Sequence, residues 1–236
     1  MMTSRRDPVV KLSNVHFSWP GQDSDLLNVE HLEIQQGEHL LIRGSSGSGK
    51  TTLLNLLTGI SLPQSGAVEV LSTRLESLSP RQRDQFRADH LGVIFQQFNL
   101  LPYLSVMENA MLPCWFSRRR RQNAGDARHA NRRLFDALDI PAELANQPVG
   151  HLSVGQQQRV AVVRALVGSP ELVFADEPTS ALDADNRDRF LQLLFREADH
   201  RGSTLIFVSH DPYIATRFPR TVEMDEINHV GWRNAI

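Results

Sequence analysis

The strongest chemical signal in the sequence is a glycine-rich octapeptide at residues 44–51. It follows an apolar stretch at 39–42 and precedes a leucine-rich stretch at 53–57, which predicts a strand, a turn and a helix in that order. Glycines in such a turn let successive backbone N–H groups point at phosphate oxygens in front of a helix N-terminus. We therefore predict a phosphate loop at residues 44–51. The predicted nucleotide contacts in and after it are Gly44, Ser45, Ser46, Gly47, Ser48, Gly49, Lys50, Thr51 and Thr52.

Two side chains of the phosphate loop have separate predicted roles. Lys50 adds a compact positive charge between the β- and γ-phosphates, and the Thr51 hydroxyl binds Mg²⁺. A flexible Ser/Gly turn is the alternative interpretation. It does not explain why the eight-residue match is complete, or why one of only two lysines among 25 basic residues lies here.

A second candidate site follows the apolar stretch at 172–175, where Asp176 and Glu177 are adjacent. In a parallel sheet, ligands bind at the carboxyl ends of the strands. Asp176 can then hold Mg²⁺ through water, and Glu177 can orient and deprotonate an attacking water. Two solvated acids after a strand are the alternative, which the presence of a phosphate loop makes less favourable.

The segment Leu152–Arg159 distinguishes between classes of phosphate-loop proteins. It reads Leu-Ser-Val-Gly-Gln-Gln-Gln-Arg at the start of a predicted helix and resembles the signature motif of ABC-type ATPases. We call it the signature segment. Other elements of that family follow in order over nearly the whole chain. By this resemblance, Trp19 is the ring that stacks on adenine, Gln96 the Q-loop glutamine, 180–183 with Asp183 the D-loop, and His210 the switch histidine.

The resemblance implies an enzyme that converts ATP and water to ADP and phosphate. Its catalytic residues are then Glu177, His210 and Gln96, and its cofactor is Mg²⁺ held by Thr51, Gln96 and Asp176. The implied fold is α/β, a P-loop NTPase (RecA-like) core with a mostly parallel sheet, an antiparallel β annex at the N-terminus and an inserted α-helical subdomain.

The resemblance also implies a head-to-tail homodimer that encloses two ATP molecules. In that family the phosphate loop of one subunit faces the signature segment of the other. Ser153, the N–H of Gly155 and the helix N-terminus at Gln156 would form a second anion site. Since one chain carries one phosphate loop and one signature segment, two copies are needed, and isolated monomers should bind ATP but hydrolyse it poorly.

The sequence departs from the family pattern at one position of the signature segment. The family usually has glycine where this chain has Val154. A β-branched residue requires a negative φ, so we expect the backbone bend to fall on Gly155. At the adenine site Phe17 is an alternative to Trp19, which we prefer because it precedes Pro20 at the predicted strand end.

Residues 96–102 and 105–109 look like the branch of the family that contains lipoprotein-release and macrolide-efflux ATPases. That branch often has Gly-Asn-Leu-Asp where this chain has Ser-Ala-Leu-Asp at 180–183. Amino-acid importer ATPases share much of the pattern. We expect the energy-supplying subunit of a transporter with integral membrane permease subunits on separate chains. The alternatives are a regulatory module that signals through a membrane partner and a soluble ABC protein acting on nucleic acid or ribosomes.

The elements that must position these residues alternate along the chain, as in a covered parallel sheet. One domain over 1–236 is expected, with a core at 1–95 and 160–236 and a helical subdomain at 96–159. Predicted strands are Val9–Phe17, Leu26–Ile34, Leu40–Arg43, Ala67–Val70, Leu91–Phe95, Leu172–Ala175, Thr204–Val208 and Thr221–Met224. Predicted helices are Lys50–Thr58, Pro80–Asp89, Val106–Met111, Ala124–Leu138, Gln156–Val167, Ala184–His200 and Pro212–Arg217.

Composition excludes several classes of protein. The formal charge of −2 over 236 residues gives no field that would hold nucleic acid. No apolar run approaches the roughly 20 residues that cross a bilayer, and the N-terminus lacks the apolar part of a secretory signal. The single Cys114 fits a reducing compartment. We expect a cytoplasmic protein, peripheral on the cytoplasmic face of the inner membrane.

One local cluster of charge stands out in the helical region. It comprises Arg118, Arg119, Arg120 and Arg121, with Arg128, Arg132 and Arg133 nearby. A solvated charged face is the plain interpretation. Contact with acidic lipid headgroups or with the cytoplasmic end of a permease is the functional one.

Overall fold

The computed structural model describes residues 8–22, 24–125, 127–180 and 182–230, with the side chains of 127–131 also left out. Ala181 of the D-loop and the side chain of Arg128 therefore lie outside the described residues. The chain forms two compact units. The first comprises Met1–Arg83 and Phe207–Ile236, and the second Asp84–Ile206.

The first unit contains a four-stranded antiparallel sheet and part of a parallel sheet. Its strands are β1 (Val10–Phe17), β2 (Leu27–Ile34), β3 (Leu40–Arg43), β4 (Ser65–Val70), β5 (Thr73–Arg74) and β9 (Arg220–Glu223), and its helices are α1 (Lys50–Leu57), α8 (Pro212–Ala215) and α9 (Met224–Ile227). Helix α2 (Pro80–His90) and strand β8 (Thr204–Ser209) run from one unit into the other.

The antiparallel sheet has the order β2-β1-β4-β5 and confirms the predicted β annex. Alternate side chains of β1 are buried, as expected for a strand with one covered face. Leu12 lies opposite Leu32 on one side and Val68 on the other, so apolar cross-strand neighbours hold the register. In the parallel sheet of this unit, β8 neighbours β3 and β3 pairs with β9.

The second unit contains the remaining strands and most of the helices. These are β6 (Leu91–Ile94), α3 (Val106–Phe116), α4 (Arg118–Ala124), α5 (Ala127–Ala137), α6 (Val154–Leu166), β7 (Leu172–Asp176) and α7 (Ala184–Arg201). Strands β6 and β7 pair in parallel, with Leu91 opposite Leu172 and Ile94 opposite Ala175. Because both strands are almost wholly buried, their sequences are continuously apolar rather than alternating.

Close packing between β6 and α6 depends on one glycine. A Cβ atom at Gly92 would lie 2.3 Å from the carbonyl oxygen of Ala165, well inside van der Waals contact. Only a residue without a side chain therefore lets the strand approach the C-terminal end of α6 this closely.

The helical region differs from the sequence prediction at α3 and α4. Helix α3 was expected to end at Met111, with Pro113 as a break, but it continues to Phe116 with Pro113 inside. A proline removes one intrahelical hydrogen bond, and this helix regains stability at its end. The Arg121 guanidinium donates to the carbonyl groups of Cys114 and Trp115, which stabilises the last turn. Helix α4 was not predicted.

Arg120 does not belong to a basic surface, contrary to the prediction for the arginine cluster. It is 2% exposed, and its guanidinium donates to the carbonyl oxygens of Leu91, Ala165 and Val167 at 3.0, 2.6 and 2.7 Å. Burial lowers the pKa of Arg120 to about 10, so it stays charged at neutral pH. The exposed members of the cluster are Arg118, Arg119, Arg121, Arg132 and Arg133.

Candidate nucleotide-binding site

The phosphate loop connects β3 to α1, as the sequence predicted. Two of its glycines have backbone angles that other residues rarely adopt: φ is 81° at Gly47 and 93° at Gly49. Glycine is required at residue 44, because the Cβ of any other residue would lie 2.7 Å from Ser48 Oγ and 2.9 Å from Met224 Cβ. Gly49 is the N-cap of α1, and no side chain caps this helix.

The loop has features that suit an anion. The ammonium group of Lys50 donates to the carbonyl oxygens of Gly44 and Ser45 at 2.9 and 2.7 Å, so the side chain lies along the loop. The Ser48 hydroxyl is buried without a hydrogen-bond partner among the described residues. A buried hydroxyl of this kind requires a partner, which a phosphate oxygen would supply. The residues present therefore fit a nucleotide phosphate.

The two aromatic candidates for the adenine site differ in exposure. Phe17 is 5% exposed, whereas Trp19 is 40% exposed and packs edge-on against Phe17 at 5.1 Å between ring centroids. Phe17 pairs with Leu27, and Leu27 is also the neighbour of Gly49. Trp19 is therefore carried toward the phosphate loop with its side chain partly exposed, which favours it over Phe17 for stacking.

His210 lies in the same unit as the phosphate loop. It is exposed and directly follows β8, which neighbours β3 in the parallel sheet. The carboxyl ends of adjacent parallel strands meet at one edge of the sheet. This edge therefore presents His210 and the start of the phosphate loop together.

In the second unit, Gln96 and the two predicted carboxylates share a sheet edge. Strand β7 ends at Asp176, and β6 ends two residues before Gln96. Because these strands pair in parallel, the side chains that follow them leave from the same edge. Glu177 has a φ of 43°, which is uncommon for a residue with a side chain and marks a constrained position.

The loop after β6 is also constrained. We call residues 96–99 the Q-loop. Phe98 and Asn99 both have left-handed backbone angles, with φ of 59° and 48°. Their carbonyl oxygens accept hydrogen bonds from the Arg164 guanidinium of α6 at 2.5 and 2.6 Å.

The signature segment forms the beginning of α6. Ser153 is the N-cap: its hydroxyl accepts from the Gln156 N–H at 3.3 Å, and its own N–H donates to the Gln156 side-chain oxygen at 2.9 Å. The chain turns at Ser153, where φ is −62° and ψ is 158°. The predicted bend at Gly155 is therefore wrong, since Val154 and Gly155 already lie in the first helical turn.

The segment is exposed at the position of the predicted second anion site. Ser153 is exposed, Val154 is 55% exposed, and a Cβ at Gly155 would meet nothing within 4 Å. Ser153 and Val154 are thus exposed at the positive end of a 13-residue helix, where the Ser153 hydroxyl caps the N–H of Gln156.

Asp183 of the D-loop is the N-cap of α7. Its carboxylate accepts from the backbone N–H of Asn186 at 2.9 Å and from the Asn186 side chain at 2.8 Å. The backbone hydrogen bond is the largest of the influences that lower the pKa of Asp183. A cavity of about 360 Å³ is lined by Ser153, Gly155, Asp183 and Phe190, so the starts of α6 and α7 border one space.

Comparison with known proteins agrees with this geometry. The sequence matches the ABC transporter family over residues 27–180. The chain belongs to that family. It is an ATP-binding cassette with the α/β fold and the ATPase activity that the sequence predicted.

Two relatives in the family show how the cassette is used elsewhere. The chain is 40% identical over 85% of its length to the lipoprotein-releasing system ATP-binding protein LolD of Syntrophotalea carbinolica, of which it covers 86%. It is 38% identical over 83% of its length to the macrolide export ATP-binding/permease protein MacB of Rhodopirellula baltica, of which it covers 28%.

A solved structure provides a comparison in three dimensions. The ATP-binding cassette MJ0796 of Methanocaldococcus jannaschii, in a dimeric post-hydrolysis state bound to ADP and Pi, is 33% identical. The TM-score is 0.78, and the match covers 93% of this chain and 94% of that one.

Two further observations concern the described residues only. No helix among them is both long and apolar enough to cross a membrane. No group of three or more His, Cys, Asp and Glu side chains in them is arranged to hold a metal ion. The predicted Mg²⁺ ligands Thr51, Gln96 and Asp176 are a hydroxyl, an amide and a carboxylate, and such oxygen donors are the ones that Mg²⁺ prefers.

Two polar residues of α6 received no separate role from the sequence, Gln158 and Arg164, although their side chains bond to loops of the candidate site. Gln158 was quoted only as one residue of the signature segment, and Arg164 was taken as part of the helix that follows it. The signal that could have revealed them is a polar side chain in an otherwise apolar helical stretch, since α6 is buried from Val160 to Val163 and again at Ala165 and Leu166. A polar group among buried residues needs a partner, and the partner is often functional.

Proposed function

We propose that this cassette is the ATP-hydrolysing subunit of a multi-subunit transporter of the lipoprotein-release or macrolide-efflux type, with its permease on separate chains. The observation that carries the proposal is one chain with both a phosphate loop and a signature helix whose first residues, Ser153 and Val154, are exposed. The likeness to LolD, over nearly the full length of both proteins, supports this branch. The cassette then works at the cytoplasmic face of the inner membrane.

In the proposed mechanism, the phosphate loop and Lys50 bind the β- and γ-phosphates, and Trp19 stacks on adenine. Thr51, Gln96 and Asp176 would hold Mg²⁺, which would supply positive charge against the phosphates. Glu177 accepts a proton from the attacking water, and His210 donates a hydrogen bond to the γ-phosphate. The loop and α1 act through N–H groups already aimed at the anion, so little reorganisation is needed during the reaction.

A second copy completes the site in this proposal. Ser153, the N–H of Gly155 and the α6 N-terminus at Gln156 bind the γ-phosphate held by the other subunit. The dimer is head-to-tail, since each copy offers its phosphate loop to the signature segment of the other. The dimeric state of MJ0796 supports a dimer as the working form.

The direct test is Glu177→Gln. A general base contributes about 10²–10⁴-fold, so the variant should lose ATP turnover by that order while it keeps its affinity for ATP. Phosphate release measures turnover, and fluorescence of a mant-labelled ATP measures affinity. Glu143→Gln, an exposed carboxylate of the same unit, is the matched control. Unchanged turnover in Glu177→Gln would show that the base is assigned wrongly.

The same variant tests the transporter assignment. With ATP and mild detergent, tagged Glu177→Gln should recover a polytopic membrane protein in stoichiometric yield from membranes of the source cell. Recovery of ribosomes or soluble proteins alone would contradict a transport role and favour the soluble alternative.

A further inference from the structure

Helix α6 carries two polar side chains toward loops of the candidate site, and the mechanism above uses neither. Gln158 is 2% exposed. Arg164 is partly exposed, and burial lowers its pKa to about 10, which leaves it charged at neutral pH. Polar groups withdrawn from water are stable only when hydrogen-bonded. Each of these two side chains bonds to main-chain carbonyl oxygens of another segment.

Gln158 holds the loop that carries the proposed general base. Its side-chain amide donates to the carbonyl oxygen of Pro178 at 2.7 Å. Pro178 directly follows Glu177, whose φ of 43° is kept only where the surroundings fix it. The buried hydrogen bond from Gln158 is one such constraint, applied at the next residue.

Arg164 holds the Q-loop in a comparable way. Its two terminal nitrogens donate to Phe98 and Asn99 at 2.5 and 2.6 Å. A charged donor makes stronger hydrogen bonds than a neutral one, and the planar guanidinium fixes both carbonyl directions at once. These carbonyl groups belong to the residues with left-handed backbone angles, two and three positions after Gln96.

We propose that Gln158 and Arg164 are positioning residues, through which α6 aligns Glu177 and Gln96 with the signature segment at its own N-terminus. The proposal rests on the proposed roles of Glu177 and Gln96 in ATP hydrolysis. A packed helix moves as one body, so a phosphate bound at Ser153 fixes α6, and both loops with it. Binding at the signature segment thereby sets the geometry of the base and of the Q-loop within the same subunit.

The first test replaces Gln158 by methionine, which keeps the length and the burial but removes the donor. We expect kcat to fall roughly ten- to a hundredfold, the usual cost of misplacing a catalytic group by about 1 Å, with KM for ATP within about twofold of the parent. Hydrogen exchange should quicken at the amides of Ser180 and Leu182, which close turns after Glu177. Gln158→Asn, whose amide is too short to reach Pro178, should behave alike.

The second test replaces Arg164 by methionine. Exchange should quicken at the amides of Phe98 and Asn99, which bond to Phe95 and Gln97 in the parent, and not at Ser180. The Mg²⁺ concentration for half-maximal turnover should rise several-fold, because Gln96 is a proposed ligand. Arg164→Lys keeps one charged donor group and should give an intermediate value in both measurements.

Two controls separate positioning from stability. Val160→Ala removes buried volume from α6 but no hydrogen-bond donor to either loop, and it should lower Tm while kcat stays near the parent value. Arg196→Gln removes another arginine that donates to a main-chain carbonyl, that of Ala137 at 2.7 Å, and should leave exchange in both loops unchanged.

The outcomes discriminate between the two proposals. If the Gln158 and Arg164 variants lower Tm but leave kcat near the parent value, as Val160→Ala should, and show no exchange change confined to their own loops, the positioning roles are wrong. If the parent protein and Glu177→Gln hydrolyse ATP equally, the proposed role of Glu177 as the general base fails instead. The exchange measurement needs no turnover, so it still decides whether the two side chains hold the loops.

Discussion

At the scale of single residues, the site depends on which side chains stay exposed at the end of a strand. Phe17 and Trp19 are two positions apart, and the first is buried in the annex while the second is partly exposed to solvent. The sequence alone left both as candidates for the adenine ring, because aromatic side chains suit a core and a stacking site equally. Burial separates them.

Replacement of Trp19 by alanine should weaken ATP binding. Stacking of a base on an aromatic ring is worth about 1–3 kcal/mol, so Kd for mant-ATP should rise roughly 5- to 160-fold, with kcat at saturation little changed. Phe17→Leu should lower Tm instead and leave Kd almost unaltered. If Phe17→Leu raises Kd and Trp19→Ala lowers only Tm, Trp19 is not the residue that stacks on adenine.

At the scale of elements, the sequence was most informative where a pattern had one physical meaning. The bounds of the phosphate loop and of β7 were predicted accurately. The glycines of the loop and the continuous apolar run of the strand are each compatible with few local structures. The α3–α4 region was not predicted accurately, because Pro113 is typical of a helix end and a run of arginines is typical of a solvent-exposed surface. Their true roles depend on distant partners: Arg121 on the end of α3, and Arg120 on α6 and β6.

The packing of β6 on α6 can be tested with Gly92→Ala. The added methyl group would lie 2.3 Å from the Ala165 oxygen, so backbone must shift, and overpacking of this kind costs about 1–3 kcal/mol. Urea denaturation should show that loss in the free energy of unfolding. Gly150→Ala is the matched control, as its Cβ would be 3.9 Å from the nearest atom, the Pro102 oxygen. Equal stability of the two variants would contradict the packing described.

At the scale of the whole molecule, the distribution of functions along the chain determines how many copies act together. The phosphate loop belongs to the first unit and the signature segment to the second. In the proposed dimer each copy supplies one of the two to each site. Association should therefore depend on ATP, since the bound phosphates form part of the interface.

Light scattering can measure this dependence. Glu177→Gln should be monomeric without nucleotide and dimeric with ATP. Adding Ser153→Glu should abolish the dimer, because a carboxylate would repel the phosphate bound by the other copy, while mant-ATP still binds. The control is Ser77→Glu, an exposed serine that belongs to neither segment, which should dimerise normally. A dimer that forms equally well with Ser153→Glu would exclude this interface.

The buried Arg120 affects how the second unit unfolds locally. Its charge is compensated by carbonyl groups from the start of β6 and from the end of α6 and the residue after it. Withdrawal of either segment would leave a buried cation without its acceptors, at a cost of several kcal/mol. Partial fraying is therefore penalised, and α4, β6 and the end of α6 should exchange their amide hydrogens as one cooperative unit.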